Sequence, residues 1–372
     1  MSRHSPLAYR RSALWGALAA KILGAWGLGW DIQWHMTIGR DSFWIAPHLM
    51  IYGSVVVGLA LGWGVLAYEW WRGIPSTRGF RLAALGLVLV VLAAPIDDLW
   101  HRLFGLDVTL WSPPHLLALF GSAVSTLGCL LIAVETYPLQ SWAGRAALVL
   151  GGAVLYGGVR VTLDPTWLYA YSYGGVLLHA FAMLAALILP LALVTTARVS
   201  ALRWAPVFAV VLSFALGLAG QQVARAGFAI LQPVSGIEEA IASDRGSPVA
   251  VGREIAEKNQ AVPPSWALRL ALPLGPAVLM ALADPRRRPG TAAIVYGVGA
   301  FAVYAWFLST LPAYAPLAPS AVETAAALAI TLACGAAGGL AARWLAARLV
   351  GEAPERRAGR ASPAAPLTSP GR

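Results

Sequence analysis

Trp30–His48 reads WDIQWHMTIGRDSFWIAPH and Ile96–His115 reads IDDLWHRLFGLDVTLWSPPH, two copies of one pattern. Asp31, Trp34, His35, Asp41, Pro47 and His48 correspond to Asp97, Trp100, His101, Asp107, Pro113 and His115, with one extra residue late in the second copy. Agreement at that many positions marks an internal repeat. In each copy the Asp and the first His are four residues apart, which sets them one turn apart on the same helical face. A loop follows, and the proline ahead of the second His suits the first turn of a returning helix, where its missing N–H costs nothing. Each copy therefore reads as the closed end of a helical hairpin carrying one carboxylate and two imidazoles.

Outward from both copies the chain is apolar. Hydrophobic residues make up 58% of the sequence and charged residues 12%. Soluble domains carry about one-quarter charged residues, so lipid is the natural solvent here. The 16 tryptophans suit a membrane–water interface. Segments near 13–30, 47–69, 80–96, 114–135, 143–163, 167–196, 204–230, 264–283, 291–312 and 319–349 each approach the ~20 apolar residues a span requires. The expected fold is all-α, a polytopic transmembrane helical bundle of about ten spans.

The arginines orient it. Arg3, Arg10 and Arg11, then Arg72, Arg78 and Arg81, Arg145, Arg198 and Arg203, Arg286, Arg287 and Arg288, and Arg343 and Arg348 all fall on one side of a ten-span chain. The positive-inside rule makes that side cytoplasmic, together with both termini. Both Asp/His sets then lie at the outer face. Because the arginines form short clusters between apolar runs, the net charge of +10 is no nucleic-acid footprint. Three regions are expected: metal-site-bearing helices over 1–200, further helices over 201–350 with an outer loop at 232–262, and a disordered cytoplasmic tail at 351–372. The basic N-terminus with its apolar stretch reads as a retained first helix, since Lys21 interrupts it and no clean cleavage site follows.

Two imidazoles with one carboxylate make a metal-ligand set that leaves positions open for water, oxygen or substrate. The candidate ligands are Asp31, His35 and His48 in one hairpin, and Asp97, His101 and His115 in the other. Asp41, Asp98 and Asp107 are candidates to orient the imidazole N–H groups. His179 falls in the sixth span, either completing a site between the hairpins or serving as a core histidine. Solvated loop residues and interfacial tryptophans are the plainer alternative. Two copies of a three-residue set among only six histidines favour metal, with iron, zinc and copper all open.

The D-x3-H-x12-H spacing, with Arg40 and Asp41 inside it and Tyr52 after it, resembles a copper-bearing membrane subunit of the particulate methane and ammonia monooxygenases. That family carries copper on an Asp-His-His set of this spacing. A second site of that family has N-x3-H-x13-H spacing, which Asp97, His101 and His115 match except that Asp replaces the amide. The likeness covers roughly residues 25–200; the spans beyond have no counterpart in that family. The resemblance implies copper, with iron or zinc behind it, in the inner membrane of a bacterium with the sites at the periplasmic face. It also implies a small or lipid-soluble substrate, and either other monooxygenase-type subunits or a homo-oligomer. The leading expectation is a copper-binding oxidase or monooxygenase-like protein activating oxygen. A non-catalytic copper-handling membrane protein is the alternative. A transporter is third, for the inner halves of the helices offer few polar groups.

Overall fold

The computed structural model describes residues 6–39, 42–104, 110–138, 140–163, 174–243, 266–310 and 312–351, with a few single positions between 245 and 257. Every regular element among them is helical, and none is a strand. The helices are α1 (Pro6–Thr37), α2 (Ala46–Trp71), α3 (Arg78–Phe104), α4 (Pro113–Thr136) and α5 (Trp142–Val161). After a 3₁₀ turn at Gly175–His179 come α6 (Ala180–Ser200), α7 (Ala205–Leu231) and the short α8 (Ile237–Ser243). The last three are α9 (Trp266–Leu282), α10 (Pro289–Ser309) and α11 (Ala321–Gly351).

Eight of these segments are long and apolar enough to cross a membrane: α2 to α5, α6 with its 3₁₀ turn, α7, α10 and α11. The two remaining expected spans are helical but differ in kind. α1 has the length, 32 residues, yet carries Arg10, Arg11 and Lys21. α9 has only 17 residues and two internal prolines, Pro273 and Pro276. Of the sixth expected span, residues 167–173 lie outside the described residues, and the described part runs as a 3₁₀ turn into α6. The expected tail beyond Gly351 lies outside the described residues.

Two devices hold the first four helices. At the end joined by the 72–77 turn, the Glu69 carboxylate is fully buried. It accepts from Arg10 Nε at 2.8 Å, from the Thr77 backbone N–H at 2.8 Å and from the Thr77 hydroxyl. Its ion pair with Arg10 and its capping of α3 compensate the burial of the charge. Arg11 donates twice to the Thr136 carbonyl, at 2.9 and 2.7 Å, tying α1 to the end of α4. The second device is close packing of α3 on α4. Gly79, Gly86, Gly121 and Gly128 line the crossing, and a Cβ at any of them would meet backbone of the facing helix within 3.0 Å. Small residues of this kind let helix backbones approach in lipid, where burying apolar surface supplies no driving force.

The segment after α7 turns back over the first hairpin; much of the expected loop at 232–262 lies outside the described residues. Gly236 N–H donates to the Ile38 carbonyl at 2.8 Å, and the Ser235 hydroxyl to the Thr37 carbonyl at 2.9 Å. Gly39, at φ +76°, lies against Ile237, where a Cβ would stand 2.7 Å from a side-chain carbon. Glycine is required there both for the left-handed backbone and for space.

Candidate metal centre

The repeat folds into two hairpins of matching design. Asp31 and His35 occupy the last turns of α1, as Asp97 and His101 do in α3. His48 is the third residue of α2 and His115 the third of α4, each helix opening on a proline after an extended residue, Ile45 or Ser112. The returning histidine is thereby delivered opposite the Asp/His pair. Pro95, inside α3, removes a helical N–H donor two residues before Asp97.

Both triads converge. Asp31 Oδ1 lies 3.1 Å from His48 Nε2 and 3.6 Å from His35 Nε2. Asp97 Oδ1 lies 3.3 Å from His115 Nε2, and Asp97 Oδ2 lies 3.5 Å from His101 Nε2. In each triad three ligand atoms fall within 4.8 Å of one another. Donors held about 2.1 Å from one ion at a tetrahedral angle stand about 3.4 Å apart, so these separations suit a single shared cation. The buried oxygens Asp31 Oδ1 and Asp97 Oδ1 make no hydrogen bond among the described residues. A buried carboxylate oxygen without a donor is costly, and a cation between it and two imidazole nitrogens removes that cost. The donor set therefore fits a transition metal, by geometry and by its unmet polar atoms.

The surroundings of the two triads differ. Trp30 and Trp34 are buried against α7, where Phe228 meets Trp34 in a stack at 5.8 Å and Trp30 edge-on at 6.2 Å. Tyr52 lies 5.8 Å from the His48 ring. In the second hairpin Trp100 instead packs on Phe104 of its own helix, at 4.4 Å. Both triads keep an exposed side: His35 of the first is 30% exposed, and His115 and Asp97 of the second are 28% and 25% exposed. The two are neighbours, for His48 lies within electrostatic reach of Asp97.

The remaining candidates divide. Asp98 points away from the triad and pairs with Arg102 at 2.7 Å. Asp41 and Asp107, like Arg40, lie outside the described residues. His179 joins neither hairpin. Its ring lies tilted against Phe301 on α10, centroids 4.5 Å apart, it is 3% exposed, and neither ring nitrogen has a hydrogen-bond partner among the described residues. Sequence spacing carried no sign of the Trp30–Trp34–Phe228 cluster, because Phe228 approaches from 194 residues beyond Trp34. No protein-family model, curated protein or solved structure matches the chain.

Proposed function

We propose that the chain is a membrane-embedded copper-binding protein of the oxidase or monooxygenase type, with one metal held by Asp31, His35 and His48 and a second by Asp97, His101 and His115. The observation that carries this reading is the convergence of two identical donor sets, each with a buried carboxylate oxygen lacking a hydrogen bond. Iron and zinc accept the same donors. Copper is favoured by the spacing likeness to the methane and ammonia monooxygenases. In the ten-span arrangement the arginine clusters and termini are cytoplasmic, and both triads face the periplasm of a bacterial inner membrane.

Bound copper would supply one-electron chemistry with oxygen. The chain's own residues hold the ligands and control access. The Asp31 and Asp97 carboxylates, facing the imidazole Nε2 atoms, would complete each donor set and offset the charge of the ion. Trp30 and Trp34, packed on Phe228, anchor the end of α1 that carries Asp31 and His35. Met36, Trp44, Leu103 and Phe104 are exposed beside the hairpin ends and suit a small or lipid-soluble substrate. One ligand of each triad is close to one-third exposed, His35 at 30% and His115 at 28%, which favours one alternative, a non-catalytic role in which copper is received and passed on. Oxygen uptake separates the two. Copper-loaded protein in nanodiscs, given a quinol as reductant, is expected to consume oxygen, and His35→Ala and His101→Ala to lower the rate. Copper retention without any oxygen uptake would leave the handling role.

A further inference from the structure

We propose that the cleft between α2 and α3, at the end of the bundle bearing Arg72, Arg78 and Arg81, is a binding site for one anionic phospholipid. The cleft has a volume of about 310 Å³. Trp63, Leu66, Leu85 and Val88 line its length, and Ser76 and Arg81 line its end. Trp63 lies eight residues inside the end of α2, and Val88 ten residues into α3. At 1.5 Å per residue the apolar wall therefore runs inward about 12–15 Å from the helix ends. A slot polar at one end and apolar along the rest matches a lipid, with a phosphate at the mouth and an acyl chain beneath.

The charge at the mouth selects the headgroup. Arg81 is exposed, and its guanidinium enters no ion pair or side-chain hydrogen bond among the described residues. The carboxylates of this end are otherwise engaged. Glu69 is held by Arg10 and Thr77, and Glu135 accepts from the Gly79 N–H at 3.0 Å. No acidic side chain in the neighbourhood thus neutralises Arg81, while a phosphate accepts from guanidinium and hydroxyl together. Trp70 and Trp71, 84% and 74% exposed, stand at the same helix ends, the depth at which indoles meet lipid headgroups.

The test is lipid retention. The protein is reconstituted with equal phosphatidylglycerol and phosphatidylcholine, extracted in mild detergent, and its retained lipid counted by native mass spectrometry. The expected result is preferential retention of one phosphatidylglycerol. Arg81→Gln should weaken it roughly fivefold, the worth of one arginine against an anionic lipid surface. Arg72→Gln, away from the cleft, should leave it unchanged. Leu85→Trp, made at an exposed position, should fill the slot and abolish retention without altering charge. Equal retention of both lipids by the unaltered protein would overturn the proposal. So would an Arg72→Gln effect as large as that of Arg81→Gln, or retention indifferent to Leu85→Trp.

Discussion

Gly86→Ala should unseat the second metal group from 11 residues away on the same helix. A Cβ at Gly86 would stand 2.3 Å from the Ser125 nitrogen and 2.5 Å from the Gly121 oxygen. Both are backbone atoms, so side-chain rotation gives no relief and α3 must part from α4 by about 1 Å. Overpacking of this kind costs about 1–3 kcal/mol, offset by roughly 0.5–1 kcal/mol from the better helix propensity of alanine. The net loss, up to about 2.5 kcal/mol, corresponds to a fall in Tm of up to roughly 10 °C. Parting the helices also stretches the 3.3 Å separation of Asp97 from His115, which sit on the two helices being forced apart. Copper affinity at that group should fall on the order of 10–100-fold, as it does when residues that orient ligands are disturbed. The first group, on α1 and α2, should keep its affinity. Gly29→Ala is the control, since a Cβ there meets nothing within 4 Å although Asp31 is two residues on. Copper titration by isothermal calorimetry with thermal unfolding in the same detergent decides the matter. Wild-type binding at both groups, or equal weakening of both, would refute the link from helix spacing to ligand spacing.

Other perturbations follow from the same geometry. Glu69→Gln leaves Arg10 facing a neutral amide in a fully buried position and should cost about 3 kcal/mol, read as a lowered unfolding temperature with copper binding retained. Gly227→Ala places a Cβ 2.2 Å from the Trp30 ring, and copper titration should show weakening at the first group alone. Asp31→Asn and Asp97→Asn should each remove one equivalent of copper, since each takes the charge from one triad, and elemental analysis would report it.

Much of this site was legible because its chemistry follows short-range rules. The four-residue step from Asp to His, read twice, sets the pair on one helical face, and the prolines before His48 and His115 mark the returning helices. The apolar runs likewise found the helices. What spacing could not carry was contact between distant segments. Glu69, near the end of α2, is fully buried because Arg10, 59 residues earlier, and Thr77 satisfy it. The packing of Trp30 and Trp34 against α7, and the docking of Gly236 on Ile38, depend on the same long-range assembly. His179 shows the converse. Its residue type left open a site between the hairpins or a place in the core, and long-range packing sets its ring against Phe301.

The measurement that bears most directly on the central claim is metal content by mass spectrometry of protein purified in mild detergent, for the unaltered chain, His35→Ala, His101→Ala and the double variant. Two copper equivalents per chain are expected, one lost in each single variant and both in the double, with folding preserved. Zinc or iron in those proportions would contradict copper while leaving the ligands standing. A well-folded protein holding no metal would contradict metal binding itself and return both triads to structural ion pairs.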